Sequence, residues 1–205
     1  MRVFRSLIEA FRYQVATHAD RSAIVAESRP GQSQSDASRT HRLRLTWREL
    51  SAFVDAAASR LQREFDAEPS LPRRLGHRSD NGLADIVIAL ASMSLDTVEF
   101  SFDQRLDDGE ISRRWDAIGG LWIDSALRQD LANPVTLHPL AASVQGRSAA
   151  GLFPELSLDL NAPSLVLWTS GTTGVPRGVT LSSQNLVGNA AAKLIAVPQS
   201  HSDRR

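Results

Sequence analysis

The chain contains no cysteine, which excludes a disulfide framework and a thiolate nucleophile and fits a reducing compartment. It also lacks an excess of charge: 23 Lys and Arg offset 23 Asp and Glu, so no overall field draws it toward nucleic acid or an anionic membrane. No apolar run is long enough to cross a bilayer. The histidines, His18, His41, His77, His138 and His201, are scattered without paired spacing, so no metal site of protein ligands is expected and each reads as a surface or turn residue. Gly-x-Ser-x-Gly is absent, which removes the usual setting for a serine nucleophile. Arg73-Arg74, Arg113-Arg114 and Arg204-Arg205 are too short and too far apart for a nucleic-acid track and read as solvated surface.

What is present is concentrated in one stretch, Leu165 to Val179. Leu165-Val166-Leu167-Trp168 reads as a buried strand and runs directly into Thr169-Ser170-Gly171-Thr172-Thr173-Gly174-Val175-Pro176-Arg177-Gly178. Gly171, Gly174 and Gly178 let the backbone approach a ligand, so several N–H groups can converge on one anion. Thr169, Ser170, Thr172 and Thr173 add hydroxyl donors. Arg177 adds a fixed charge with a planar donor fork suited to phosphate, and Pro176 stiffens the loop before it. A Ser/Thr/Gly cluster between apolar runs is often only a solvated turn, and composition alone favours that reading. The P-loop pattern Gly-x-x-x-x-Gly-Lys-Ser/Thr does not fit residues 165–182, and Val179-Thr180-Leu181 reads as a strand where that motif needs a helix.

The remainder of the 205 residues gives an α/β pattern, with length enough for one good core or two small ones. Residues 1–15 form an amphipathic docking helix, not a signal peptide. Residues 23–26 and 43–45 pair as a hairpin across a polar, mobile loop at 27–42. Thr46-Trp47-Arg48-Glu49 has the form of a capping box, and Leu50, Phe53, Val54, Ala57, Leu61 and Phe65 follow at helical spacing. A strand near 74–77, a helix from Leu83 to Leu95, a strand at 97–102, a helix from Asp107 and a strand at 121–123 then alternate. That spacing predicts right-handed βαβ units and a mainly parallel sheet flanked by helices. Trp47, Trp115, Trp122 and Trp168 fall on core faces. Residues 130–160 are irregular, with a short strand near Val135 to Leu137, and a last helix starts at Ser182-Ser183.

The ordered signature Thr-Ser-Gly-Thr-Thr-Gly-x-Pro-Arg-Gly-Val resembles the phosphate-binding loop of the adenylate-forming (AMP-binding) enzymes, a superfamily that includes acyl-CoA synthetases, luciferases and peptide-synthetase adenylation domains. His18-Ala19-Asp20-Arg21-Ser22-Ala23-Ile24-Val25 resembles that family's "PDRPALV"-like stretch, Thr46-Trp47-Arg48-Glu49-Leu50 its "TYREL", and Leu181-Ser182-Ser183-Gln184-Asn185-Leu186 its "LTHRNL". The resemblance implies an ATP-dependent, carboxylate-activating ligase, acyl-CoA synthetase-like, using ATP and Mg2+ and then passing the acyl group to coenzyme A. Thr169, Ser170, Gly171, Thr172, Thr173 and Gly174 would wrap the β- and γ-phosphates, with Gly178 at the loop's end. Arg177 would steady charge on the leaving pyrophosphate.

Departures are clear. The family usually has lysine at Arg177, histidine at Ser183, glycine at Asp96 and Asn-Pro at Asp103-Gln104. The later family motifs and its C-terminal domain have no counterpart among these residues. Residues 1–205 are therefore expected to be a partial N-terminal adenylation domain, cytoplasmic, without a transmembrane segment or nucleic-acid partner, and inactive alone. An exposed apolar edge, with poor solubility or dependence on a partner chain, is expected too. The alternatives are a non-catalytic remnant that binds phosphate or a partner, and a structural domain whose loop binds nothing.

Overall fold

The computed structural model describes residues 4–27, 42–132, 159–169 and 177–196. Its first helix, α1 (Leu7–His18), is capped by the Ser6 side chain, which accepts from the Glu9 amide. Strands β1 (Ser22–Glu27) and β2 (Arg42–Thr46) pair antiparallel as a separate two-stranded sheet. Glu27 and Arg42, expected in the loop, are paired strand residues; alternation of Leu43 and Leu45 with arginines carries the strand one residue further than its apolar positions mark. The residues between them lie outside the described part, as does the strand expected near 135–137.

Helix α2 (Trp47–Ala67) follows β2 directly, and Thr46 and Glu49 form the capping box reciprocally. Its Leu50, Val54, Leu61 and Phe65 join Ile8, Phe11, Val87 and Ile88 in the main core. Then come β3 (Arg74–Ser79), α3 (Leu83–Ser94), β4 (Val98–Asp103), α4 (Asp108–Ile118), β5 (Leu121–Ile123), α5 (Ser125–Ala132), β6 (Pro163–Thr169), β7 (Arg177–Ser182) and α6 (Ser183–Ala196). Helix α5 was not foreseen. It has only Leu127 and Leu131 as large apolar residues, too few to establish a period, and its start depends on Asp124 accepting from the Leu127 amide.

The second sheet has five strands in the order β5-β3-β4-β6-β7. Pairs β3/β4, β3/β5 and β4/β6 are parallel, while β6/β7 is antiparallel. The mainly parallel α/β sheet expected from the sequence is therefore the one observed. Direction decides which face each helix covers. The chain steps from β3 to β4 one way, then back across β3 to β5, so a constant crossover hand puts α3 and α4 on opposite faces. Leu75 and His77 face the core built on α2, α3 and α5, while Gly76 on the other face receives Trp115 of α4. Gly76 sits there because a Cβ would lie 2.6 Å from Trp115 Cζ3. Trp115 thereby reaches Phe100 at 5.8 Å and Trp122 at 5.5 Å between ring centres.

On the β6–β7 ribbon, Leu167 and Val179 are cross-strand partners and each is 42% exposed. An uncovered apolar stretch in this part of the sheet was anticipated, and Leu167 and Val179 locate it.

Candidate functional site

The parallel strands β3, β4, β5 and β6 all point the same way, so the segments after Ser79, Asp103, Ile123 and Thr169 gather at one edge of the sheet. In open α/β sheets ligands are met at that carboxyl edge. Polar side chains concentrate there. Arg78 pairs with Asp108, Arg128 reaches Asp80 and Asp85, both at 2.6 Å, and Arg105 holds Asp103. The Asp103 carboxyl is pulled down to about 2, first by its side-chain hydrogen bond from Arg105 and then by that residue's backbone N–H.

Of the sequence-predicted site residues, Thr169, Arg177 and Gly178 are described; Ser170, Gly171, Thr172, Thr173 and Gly174 lie outside the described residues. Thr169 and Arg177 form the last pair of the β6–β7 ladder, and Trp168 opposes Gly178. The Thr169 hydroxyl donates to the Arg177 carbonyl at 3.2 Å. As a phosphate donor that hydroxyl would have to turn. Arg177 is exposed and has no carboxylate partner among the described residues. Gly178 packs closely: a Cβ there would lie 3.0 Å from Val166 Cγ1, a tight contact, and 3.6 Å from Trp168 Cζ3, an ordinary one.

The strand that leaves the site ends in another reciprocal cap. The Ser182 hydroxyl accepts from the Asn185 amide at 3.2 Å, and Asn185 Oδ1 accepts from the Ser182 amide at 3.0 Å. That gives Leu181-Ser182-Ser183-Gln184-Asn185-Leu186 a structural reason independent of any ligand: it turns β7 into α6.

Two polar groups were misjudged in the sequence. His77, expected at the surface, is fully buried in β3. Its Nε2 is 2.8 Å from Glu99 Oε1, and its Nδ1 is 3.2 Å from Arg128 Nη1. Nδ1 also lies 3.1 Å from the Arg78 carbonyl, so both ring nitrogens have polar partners inside the core. Arg128 also holds Asp85. Burial works to raise that carboxyl, but hydrogen bonding and charge from Arg128 outweigh it and the net shift is downward. Nothing local in Arg74-Leu75-Gly76-His77 signals this, because Glu99 comes from the neighbouring strand and Arg128 from α5. Arg114, expected to be solvated, has a side chain only 14% exposed and lies over the Trp168 ring at 4.7 Å.

A cleft of about 570 Å3 opens between α4 and α5, lined by residues that include Arg78, Trp115, Trp122, Asp124 and Arg128. Its arginines already have carboxylate partners, so it offers no free positive charge to an anion.

The mainly parallel sheet flanked by helices, with Thr169 and the exposed Arg177 paired at its carboxyl edge, defines an α/β chain. The family described as AMP-binding enzyme matches residues 11–204, and the chain belongs to it. Comparison with curated protein sequences finds no match. Among solved structures, the chain is similar to a fatty acid AMP ligase from Legionella pneumophila at 16% identity and TM-score 0.66, covering 96% of this chain and 34% of that one. It is also similar to ATP-bound MatB from Rhodopseudomonas palustris, at 19% identity and TM-score 0.63, covering 93% and 37%. O-succinylbenzoate coenzyme A synthetase from Bacillus subtilis, in complex with AMP, gives 17% identity and TM-score 0.62 over 95% and 47%. At these identities the likeness is one of fold. The chain spans less than half the length of each of these three structures.

Proposed function

We propose that residues 169–178 hold the β- and γ-phosphates of ATP, and that the chain is the N-terminal, phosphate-binding portion of a ligase that activates a carboxylic acid as its acyl-adenylate. The observation that carries this reading is the hairpin itself: Thr169 and Arg177 close the ladder at the carboxyl edge of the sheet, with the glycine-rich sequence between them. Ser170, Gly171, Thr172, Thr173 and Gly174 supply amides and hydroxyls to the phosphate oxygens. The Arg177 guanidinium, standing free of carboxylates among the described residues, neutralises the charge that builds on the leaving pyrophosphate. In-line displacement at phosphorus needs positioning and charge stabilisation more than covalent help, and these residues offer both.

Magnesium fits the same place. Thr169 Oγ1 is a hard oxygen donor at the strand end, and Mg2+ takes few protein ligands, filling its octahedron from phosphate and water. When bound it would neutralise phosphate charge. Transfer of the acyl group to coenzyme A, a small carboxylic acid as substrate and a cytoplasmic setting complete the proposal, as does the assignment of residues 1–205 to part of one adenylation domain.

Binding of ATP and pyrophosphate to residues 1–205, measured by titration calorimetry with magnesium, tests it. Arg177→Ala should weaken pyrophosphate binding by about 10- to 100-fold, the range of a charge-assisted hydrogen bond. Thr172→Ala should weaken it by a smaller factor. Affinities indistinguishable from the parent in both variants would favour a loop that binds nothing.

A further inference from the structure

The hairpin that carries the glycine-rich loop lies at the edge of the sheet, and residues 177–180 are exposed. Its last ladder pair, Thr169 with Arg177, has one added tie, the Thr169 hydroxyl on the Arg177 carbonyl. An edge ribbon of this kind opens at its free end unless something grips it from a packed face. One side chain is placed to do so.

Arg114 projects from α4 and is ion-paired with Glu110 one turn earlier. Its guanidinium carbon stands 4.7 Å from the centre of the Trp168 ring. The indole also stacks on Phe102 of β4, with centroids 5.4 Å apart and planes at 29°. Its far edge lies against Gly178, where even a methyl group would touch it. Trp168 therefore connects α4, β4, β6 and β7 one ladder pair in from the last. Arg114 Nη1 and Trp168 Nε1 are both buried without a hydrogen-bond partner among the described residues. The guanidinium is thus held over the indole by cation–π attraction and by Glu110, at the expense of one hydrogen-bond site.

We propose that Arg114 is a positioning residue: by stacking on Trp168 it fixes the closing pairs of the β6–β7 hairpin, and through them the spacing between Thr169 and Arg177 that a phosphate tail must meet. The structural half of this inference stands alone; its consequence for nucleotide rests on the phosphate reading above. Lysine would not replace this arginine fully, because an ammonium keeps the charge and the Glu110 pairing but cannot stack as a plane.

Hydrogen–deuterium exchange on residues 1–205 reads the structural half directly. In Arg114→Gln, amides of residues 165–169 and 177–182 should exchange about tenfold faster, the factor that corresponds to losing one stacking contact of this class. Arg114→Lys should give an intermediate rate, while amides of β3 and α3 keep the parent rate. Unchanged hairpin exchange overturns the proposal, and so does a uniform increase across the chain, which would mark Arg114 as a general stabiliser. Pyrophosphate titration then reads the second half: if the parent binds, Arg114→Gln should bind about five- to tenfold more weakly and Arg114→Lys less so. A loosened hairpin with parental affinity overturns the link from Arg114 to the phosphates. A parent that binds nothing overturns the phosphate reading and, with it, that link, while the exchange result still decides the role of Arg114.

Discussion

Asp55 lies on the buried side of α2, and its carboxyl is pushed up to about 6, first by burial and only partly countered by a hydrogen bond from Ser51 and the charge of Arg12. The folded chain thus keeps a proton that the unfolded chain releases near the ordinary value of 3.8. Between these two values the folded state binds more protons, so stability falls as pH rises from about 4 to about 6. After discounting for partial solvent access, the loss amounts to about 2 kcal/mol. Urea denaturation at several pH values should show that slope, and Asp55→Asn should remove it whatever it does to absolute stability; an identical slope in the variant would contradict the assignment. Asp55 could be placed on α2 from its sequence, but its protonation could not, because Arg12 and the burying residues come from other elements. His77 and Arg114 escaped notice for the same reason. A residue's type and its neighbours in sequence reveal period and capping, whereas Glu99, Arg128 and Trp168 are brought to them only by the assembled sheet.

Helix starts belong to the next scale, and here short-range chemistry is legible. Thr46 and Glu49 satisfy each other's amides within one turn, with the Thr46 hydroxyl accepting from the Glu49 amide at 3.2 Å and Glu49 Oε2 accepting from the Thr46 amide at 2.8 Å. Hydrogen bonding to the Thr46 backbone holds the Glu49 carboxyl below its ordinary value. Thr46→Ala leaves an orphan amide at the start of α2, the longest helix among the described residues, and should lower stability by about 1 kcal/mol in urea denaturation; no loss would mean that β2 alone fixes the helix start. The direction of β7 was also within reach. Seven residues separate Thr169 from Arg177, counting 170 to 176, too few for the crossover that a parallel neighbour requires. Helix α5 shows the limit, since eight residues with two large apolar side chains define no stripe until α3 and β5 are there to receive them.

At the scale of the molecule, the carboxyl edge of the sheet unites segments more than ninety positions apart, from Ser79 to Arg177. Alternation of strands and helices predicted that sheet, and the order of its glycines, hydroxyls and arginine is the basis for the phosphate site proposed at its edge. The electrostatic arrangement around the site was not predicted, because it depends on which loops meet at the edge. The proposed reaction needs more than a phosphate cradle: the resemblance implies later motifs and a C-terminal domain, and these have no counterpart among the 205 residues. Purified residues 1–205 should therefore give no acid-dependent exchange of labelled pyrophosphate into ATP. A clear exchange signal would show that the phosphate hairpin and its surroundings suffice for adenylation.

Gly76 is the place where the sheet is keyed. The missing side chain leaves a socket one indole wide in the middle of β3, and Trp115 occupies it, so α4 has little freedom to slide or rotate against the strands. Arg114 is the preceding residue on the same helix. The socket at the centre of the sheet thus sets where the guanidinium comes down at its edge, and the calibre of a single hydrogen atom in β3 is transmitted two strands away to the mouth of the hairpin.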